Sequence, residues 1–218
     1  MSVRIKFCGF TQASDLQLAV ALGADAFGLV HFAGSKRHVS LEQMPDLRAA
    51  VPDNKDLIAL FVNPSVAEVH SVMTALKPSM LQFHGDEPDA FCAQFGMPFI
   101  KAMAMGEGAG DIFQRQKNYP NASAFLLDGH APGGLGGAGH AFAWHEPILL
   151  NKPVYLAGGL HAGNVAEAIA LIKPFAVDVS SGIESAPGFK DERKMREFVE
   201  AIKIVSEMKL TNSGPIFS

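Results

Sequence analysis

VRIKFCGFTQAS, residues 3–14, decides the fold. From Val3 to Cys8 the side chains alternate as on a strand, with Val3, Ile5 and Phe7 on one face and Arg4, Lys6 and Cys8 on the other. The residues just beyond the strand weigh against one architecture. An open doubly wound sheet is expected to carry a glycine-rich dinucleotide fingerprint after its first strand, and CGFTQAS (8–14) is not one. The strand ends instead in a thiol followed by glycine.

The beat set by that first run recurs. VRIKF (3–7), AFGLV (26–30), LIALFV (57–62), MLQF (80–83), FIKAM (99–103), AFLLD (124–128), PVYLA (153–157) and FAVDVS (175–180) start 19 to 31 residues apart, about one strand-plus-helix unit. Helical patterns lie between them. SDLQLAVALG (14–23) pairs Ser14 with Gln17 as a capping box and stops at Gly23. SVAEVHSVMTALKP (65–78) pairs Ser65 with Glu68, presents Val66, Val69, Met73 and Leu76, and stops at Pro78. In GNVAEAIALIKP (163–174) the face is Val165, Ala168, Ile169 and Ile172; a last helix over 191–208 buries Met195, Phe198, Val199, Ile202 and Val205. Eight strands alternating with about eight helices predict a single-domain α/β fold, the (βα)8 or TIM barrel, over residues 1–208. Residues 209–218 read as a C-terminal tail, and the helix signals after strands five and six are weak.

Composition narrows the function. A chain 48% hydrophobic and 18% charged, with mean hydropathy +0.16, reads as a soluble globule. A net charge of −4 argues against nucleic acid as a partner and requires a local positive site for any small anion. Two cysteines, Cys8 and Cys92, make a poor disulfide framework, so a reducing compartment is expected. No secretory signal or membrane-spanning run is read, which makes a cytoplasmic protein without a membrane partner the expectation.

In a closed barrel the face carrying Lys6 points inward, and alternation in strand eight puts Asp178 inward with Ala176 and Ser180. The first and last strands are neighbours, so Lys6 and Asp178 are expected to neutralise each other within about 6 Å. Lys101 is read as inward too, and Asp128 ends strand six beside Ala124 and Leu126. Cys8 then stands at the rim where barrel enzymes place their chemistry, and the nearby lysine is expected to lower its pKa. Cys92, within an ordinary helix pattern, reads as structural.

Glycine loops follow strands seven and eight. LAGGL (156–160) and VSSGIE (179–184) allow backbone amides to approach an anion, and this pair of loops is where barrels commonly hold a phosphate. GGLGGAG (133–139) either adds a third set of amides or is a mobile loop. Arg37 in SKRHVS is a candidate carboxylate fork. The histidines show no zinc spacing, so no metal is expected, and His84 reads as a hydrogen-bonded site histidine.

Nine stretches in order carry a resemblance: KFCGFT (6–11), SKRHVS (35–40), LFVNP (60–64), LQFHGD (81–86), LLD (126–128), GGAGHAFAW (136–144), LAGGLHAGNV (156–165), VDVSSGIE (177–184) and PGFKD (187–191). Together they resemble the phosphoribosylanthranilate isomerase family of tryptophan biosynthesis, over residues 4–203. The resemblance implies a (βα)8 barrel and an Amadori rearrangement of an aminoaldose, with no cofactor. It implies Cys8 as general base, Asp128 as general acid and Arg37 as ligand of the anthranilate carboxylate. The phosphate would be held around Gly158, Gly159, Ser180, Ser181 and Gly182, with Asp178 also at the substrate. The chain departs from the family at Ala138 and Ala143, which bears on the loop after strand six and any role of Gly137. Another phosphosugar barrel, of the indole-glycerol-phosphate synthase or epimerase type, and a non-catalytic binding barrel are the rival readings. Whether the chain is a monomer or a homodimer is left open.

Overall fold

The computed structural model describes residues 3–129, 148 and 150–212, with side chains through Val205. Eight parallel strands close into a barrel: β1 (Arg4–Cys8), β2 (Ala26–Val30), β3 (Asp56–Phe61), β4 (Met80–Phe83), β5 (Phe99–Ala104), β6 (Ala124–Asp128), β7 (Val154–Leu156) and β8 (Ala176–Val179). Each apolar run of the sequence became a strand within one residue at either end. The strands pair in chain order and β8 closes on β1, with Lys6 opposite Asp178. Lys6 Nζ donates to Asp178 Oδ1 at 2.9 Å, so the expected pair forms the seam.

The two faces of the sheet are filled differently. Phe7, Phe27, Phe61, Phe83, Phe99 and Phe125, one from each of β1 to β6, all point outward into the layer beneath the helices. Burying each phenylalanine contributes roughly 1.5–3 kcal/mol. The interior holds small residues, Ala26, Ala102, Ala124 and Ala176, around Ile58, Ile100, Leu126 and Tyr155. Small side chains leave room for the large ones within a ring of eight strands.

Lys101 does not point inward. Ile100 and Ala102 occupy the barrel, while Phe99 and Met103 pack under the helices, and Lys101 shares their face. Its Nζ lies 2.8 Å from Glu87 Oε2, donates to the Phe83 and Gly85 carbonyls, and sits over the Tyr119 ring. Every residue of β5 is buried, so hydrophobic alternation carries no face information there.

The helices are α1 (Ala13–Ala21), α2 (Met44–Ala49), α3 (Val66–Leu76), α4 (Asp89–Ala93), α5 (Ile112–Arg115), α6 (Val165–Ile172) and α7 (Glu192–Asn212). Ser65 and Glu68 form the capping box expected at α3. Ser14 forms none, because α1 starts at Ala13 and is capped by Gln12 without a side-chain bond. Both α3 and α6 stop at a lysine in the left-handed conformation, Lys77 and Lys173, each followed by proline. Proline bars the right-handed helix from the residue before it. Val165, Ala168, Ile169 and Ile172 are all buried as read, whereas Val66 on α3 is exposed. The last helix buries Met195, Phe198, Val199 and Ile202 and continues past residue 208 to Asn212. The end of the expected tail, 213–218, lies outside the described residues, as do GGLGGAG (133–139), Ala138 and Ala143. Among the described residues no helix is long and apolar enough to cross a membrane. One element was not anticipated: a small antiparallel ribbon, β9 (Glu184–Ala186) and β10 (Phe189–Lys190), follows β8.

Candidate active site

At the C-terminal ends of the strands a cavity of about 420 Å³ opens. Cys8, Arg37, Asp128, Gly158, Gly159, Asp178, Ser180 and Ser181 all line it, joined by Gln82 and His84. Eight of the nine candidate residues thus converge, from β1, β6, β8 and three loops. Gly182 is the exception and does not line the cavity. A side chain there would place its Cβ 2.0 Å from the Leu160 carbonyl oxygen, so this glycine lets the two loops pack against each other.

Cys8 ends β1 with its thiol on the inner face. Gly28, opposite it on β2, makes room: a Cβ there would lie 2.6 Å from Sγ. The glycine after the cysteine has a separate reason. Gly9 adopts φ +79°, a region costly for other residues, and a Cβ at this position would lie 2.4 Å from Arg37 Cδ. Arg37 therefore folds directly over the end of the first strand.

Burial pushes the Cys8 thiol up, and Asp178 adds to this, outweighing the pull of Lys6 and Lys190 in the other direction. This corrects the expectation of a lowered pKa. Lys6 does pull the thiol down, and Asp178 offsets part of that pull, but loss of water around the buried thiol outweighs both lysines. Cys92 is inert by comparison: burial pushes its thiol up to about 12, and its Sγ lies 3.9 Å from the Glu87 carbonyl.

The Arg37 fork is aimed at an internal carboxylate. Its Nε donates to Glu184 Oε1 at 2.9 Å and its Nη2 to Oε2 at 2.7 Å, a bidentate pair. Lys190 lies behind it, its side chain fully buried. Lys190 Nζ donates to Glu184 Oε1 at 2.8 Å, to the Cys8 carbonyl at 2.6 Å and, more weakly, to the Ser180 carbonyl at 3.5 Å. Burial alone would raise the Glu184 carboxyl, but Arg37 and Lys190 hold it below its ordinary value. Burial likewise pulls the Lys190 ammonium down against the attraction of Glu184.

Asp128 is buried at the end of β6. His84 Nε2 lies 3.4 Å from its Oδ2, and Gln82 Nε2 lies 3.2 Å from His84 Nδ1. Gly158, with φ +83°, closes the other side: a Cβ there would lie 3.1 Å from Asp128 Oδ1. Asn164 braces the loop by donating to the Gly159 carbonyl and accepting from the His161 amide. Among the described residues no cluster of three or more histidine, cysteine, aspartate or glutamate side chains is arranged to hold a metal ion.

Gln82, Glu184, Lys190 and Gly28 were missed as site residues. Glu184 and Lys190 stand within stretches that carry the resemblance, which was the available signal. Their partners, however, depend on the β9–β10 ribbon, which no pattern announced.

Fold and cavity together define a (βα)8 barrel whose C-terminal rim gathers a thiol, a carboxyl, an arginine and two glycine-bearing loops. Residues 5–201 match the family model of N-(5'-phosphoribosyl)anthranilate (PRA) isomerase. An N-(5'-phosphoribosyl)anthranilate isomerase from Xanthomonas oryzae is 48% identical over 206 residues, covering 92% of this chain and 93% of the relative. One from Stenotrophomonas maltophilia is 47% identical with the same coverage. The crystal structure of the Thermotoga maritima phosphoribosyl anthranilate isomerase superposes with a TM-score of 0.81 at 34% identity, covering 92% of this chain and 98% of that one. The chain belongs to the N-(5'-phosphoribosyl)anthranilate isomerase family.

Proposed function

We propose that this chain converts N-(5'-phosphoribosyl)anthranilate into 1-(2-carboxyphenylamino)-1-deoxyribulose 5-phosphate, with Asp128 as general acid and Cys8 as general base. What supports the reading is that these two groups, from opposite parts of the barrel, line one cavity in a member of this family.

The chemistry runs in two proton transfers. Asp128 gives its proton to the ring oxygen as the bond from that oxygen to C1 breaks, and the nitrogen, keeping its own proton, uses its lone pair to form a C1=N iminium whose π pair returns to nitrogen in the next step. Cys8, as thiolate, takes the proton from C2, and that electron pair moves to C1=C2 to give an enolamine. Protonation at C1 with loss of the proton on the C2 hydroxyl yields the ketone. A thiolate of raised pKa is scarcer at neutral pH but a stronger base. His84, its Nε2 3.4 Å from Asp128 Oδ2, stands beside the carboxylate left after the first transfer. Gly158, Gly159, Ser180 and Ser181 are suited to hold the phosphate, and Arg37, whose Nη1 is not used by Glu184, is suited to the anthranilate carboxylate. Fixing both anionic ends orients the sugar between acid and base, in itself a large rate factor.

Two experiments test this. The purified chain is expected to consume N-(5'-phosphoribosyl)anthranilate, and its gene to restore growth of a tryptophan auxotroph lacking the isomerase. A pure, folded protein that leaves the substrate unchanged refutes the proposal.

A further inference from the structure

We infer that Lys190, which does not touch the cavity, is a positioning and charge-setting residue that makes Arg37 competent to select a substrate carboxylate. The inference rests on the reading of Arg37 given above.

Arg37 alone would be a poor anion site. Its bidentate partner Glu184, at 2.7 and 2.9 Å, cancels its charge, and a neutral pair offers a second carboxylate little attraction. Lys190 changes the sum. Its ammonium shares Glu184 Oε1 at 2.8 Å, so the buried group of Arg37, Glu184 and Lys190 carries one net positive charge. The surroundings of Lys190 Nζ identify an ammonium. Three acceptors face it, the Glu184 carboxylate and the Cys8 and Ser180 carbonyls, and the Phe10 ring centroid lies 5.3 Å away. A neutral amine has only two protons to give, whereas all three contacts need a donor.

Among the described residues, the other charges next to this group do not cancel this excess. Lys6 and Asp178 neutralise each other at 2.9 Å. Asp15 accepts from the Lys190 backbone amide at 3.0 Å and does not line the cavity. Lys36 lines the cavity but is exposed, where water screens it. The net charge is thus borne by Arg37, the one member of the group that reaches the cavity. The same ammonium ties the ends of β1 and β8 together through the Cys8 and Ser180 carbonyls, which fixes the thiol relative to the fork.

The test compares two inert phosphosugar ligands, the reduced product analogue with its ortho-carboxylate and the same compound lacking it. The readout is the ratio of their affinities, measured by calorimetry. Arg37→Met is expected to lower that ratio by roughly tenfold; if it does not, the Arg37 reading itself fails. Given that drop, Lys190→Met is expected to lower the ratio by a similar roughly tenfold factor. The double variant Glu184→Gln, Lys190→Met restores a single positive charge and is expected to return the ratio to within about threefold of wild type. A merely structural Lys190 would weaken both ligands alike and would not be rescued by the second substitution; that result overturns the inference. Should Lys190→Met not fold, Glu184→Gln decides alone. It keeps an acceptor for Arg37 and adds a charge, so the ratio is expected to rise, and an unchanged or lower ratio overturns the inference.

Discussion

At Cys8 burial and charge act in opposite directions, and burial prevails. The thiolate fraction of any cysteine grows with pH, so a raised pKa places the midpoint of its reactivity on the alkaline side of an ordinary thiol, about 8.5. Alkylation of the native protein by iodoacetamide across pH 6 to 10 is expected to show this; Cys92, buried and pushed up to about 12, reacts only on unfolding. A midpoint below about 8 contradicts the account. The position of the thiol was legible in the sequence, since alternation in VRIKFC put Cys8 on the inner face at a strand end. The direction of its pKa was not. Lys6 was visible two residues away and does pull the thiol down, but the burial that outweighs it exists only once the barrel has closed. Gly182 teaches the same lesson. A glycine in a phosphate-type loop reads as an amide donor, and only the packed loops show that it makes room for the Leu160 carbonyl. Gly182→Ala is expected to destabilise the fold by about 1–3 kcal/mol, the usual cost of overpacking, in denaturant unfolding.

Two elements close the barrel, and their seam carries a buried ion pair. Burial alone would lower the Lys6 ammonium, yet Asp178 outweighs it and holds Lys6 above its ordinary value. Stability from this pair is therefore intact below the pKa of an unfolded lysine, about 10.4, and is lost as pH rises through the higher folded value. Lys6→Met leaves Asp178 buried and unpaired and is expected to cost about 3–5 kcal/mol, while Lys6→Met with Asp178→Leu recovers most of the loss. Urea unfolding of the three proteins checks both statements; equal losses in the single and double variants contradict them. At the surface, Ser65→Ala removes the α3 cap and is expected to cost about 1 kcal/mol. The eight strands were legible because each is a short apolar run between turn signals. The face of β5 was not, because all of its residues are buried and alternation there is silent. The cap of α1 misled for another reason. A serine and a glutamine three apart are compatible with a box, but the helix begins at Ala13, two residues before a Ser14 cap would start it.

The whole molecule explains why the site itself was hard to read from local pattern. Closing the barrel brings Lys6 to Asp178, Arg37 to Glu184 and Lys190 to the Cys8 carbonyl, across 172, 147 and 182 residues. Local alternation predicts which residues point inward. Only the closed topology, or likeness to a family, predicts which of them meet. We propose that a thiol from the first strand and a carboxyl from the sixth serve one sugar. This is tested most directly by measuring, in Cys8→Ala and in Asp128→Ala, both kcat with N-(5'-phosphoribosyl)anthranilate and the affinity for the reduced product analogue. The account predicts that kcat falls by roughly 10²–10⁴ in each variant while the analogue still binds within about threefold of wild type. Turnover near the wild-type rate in either variant would contradict it.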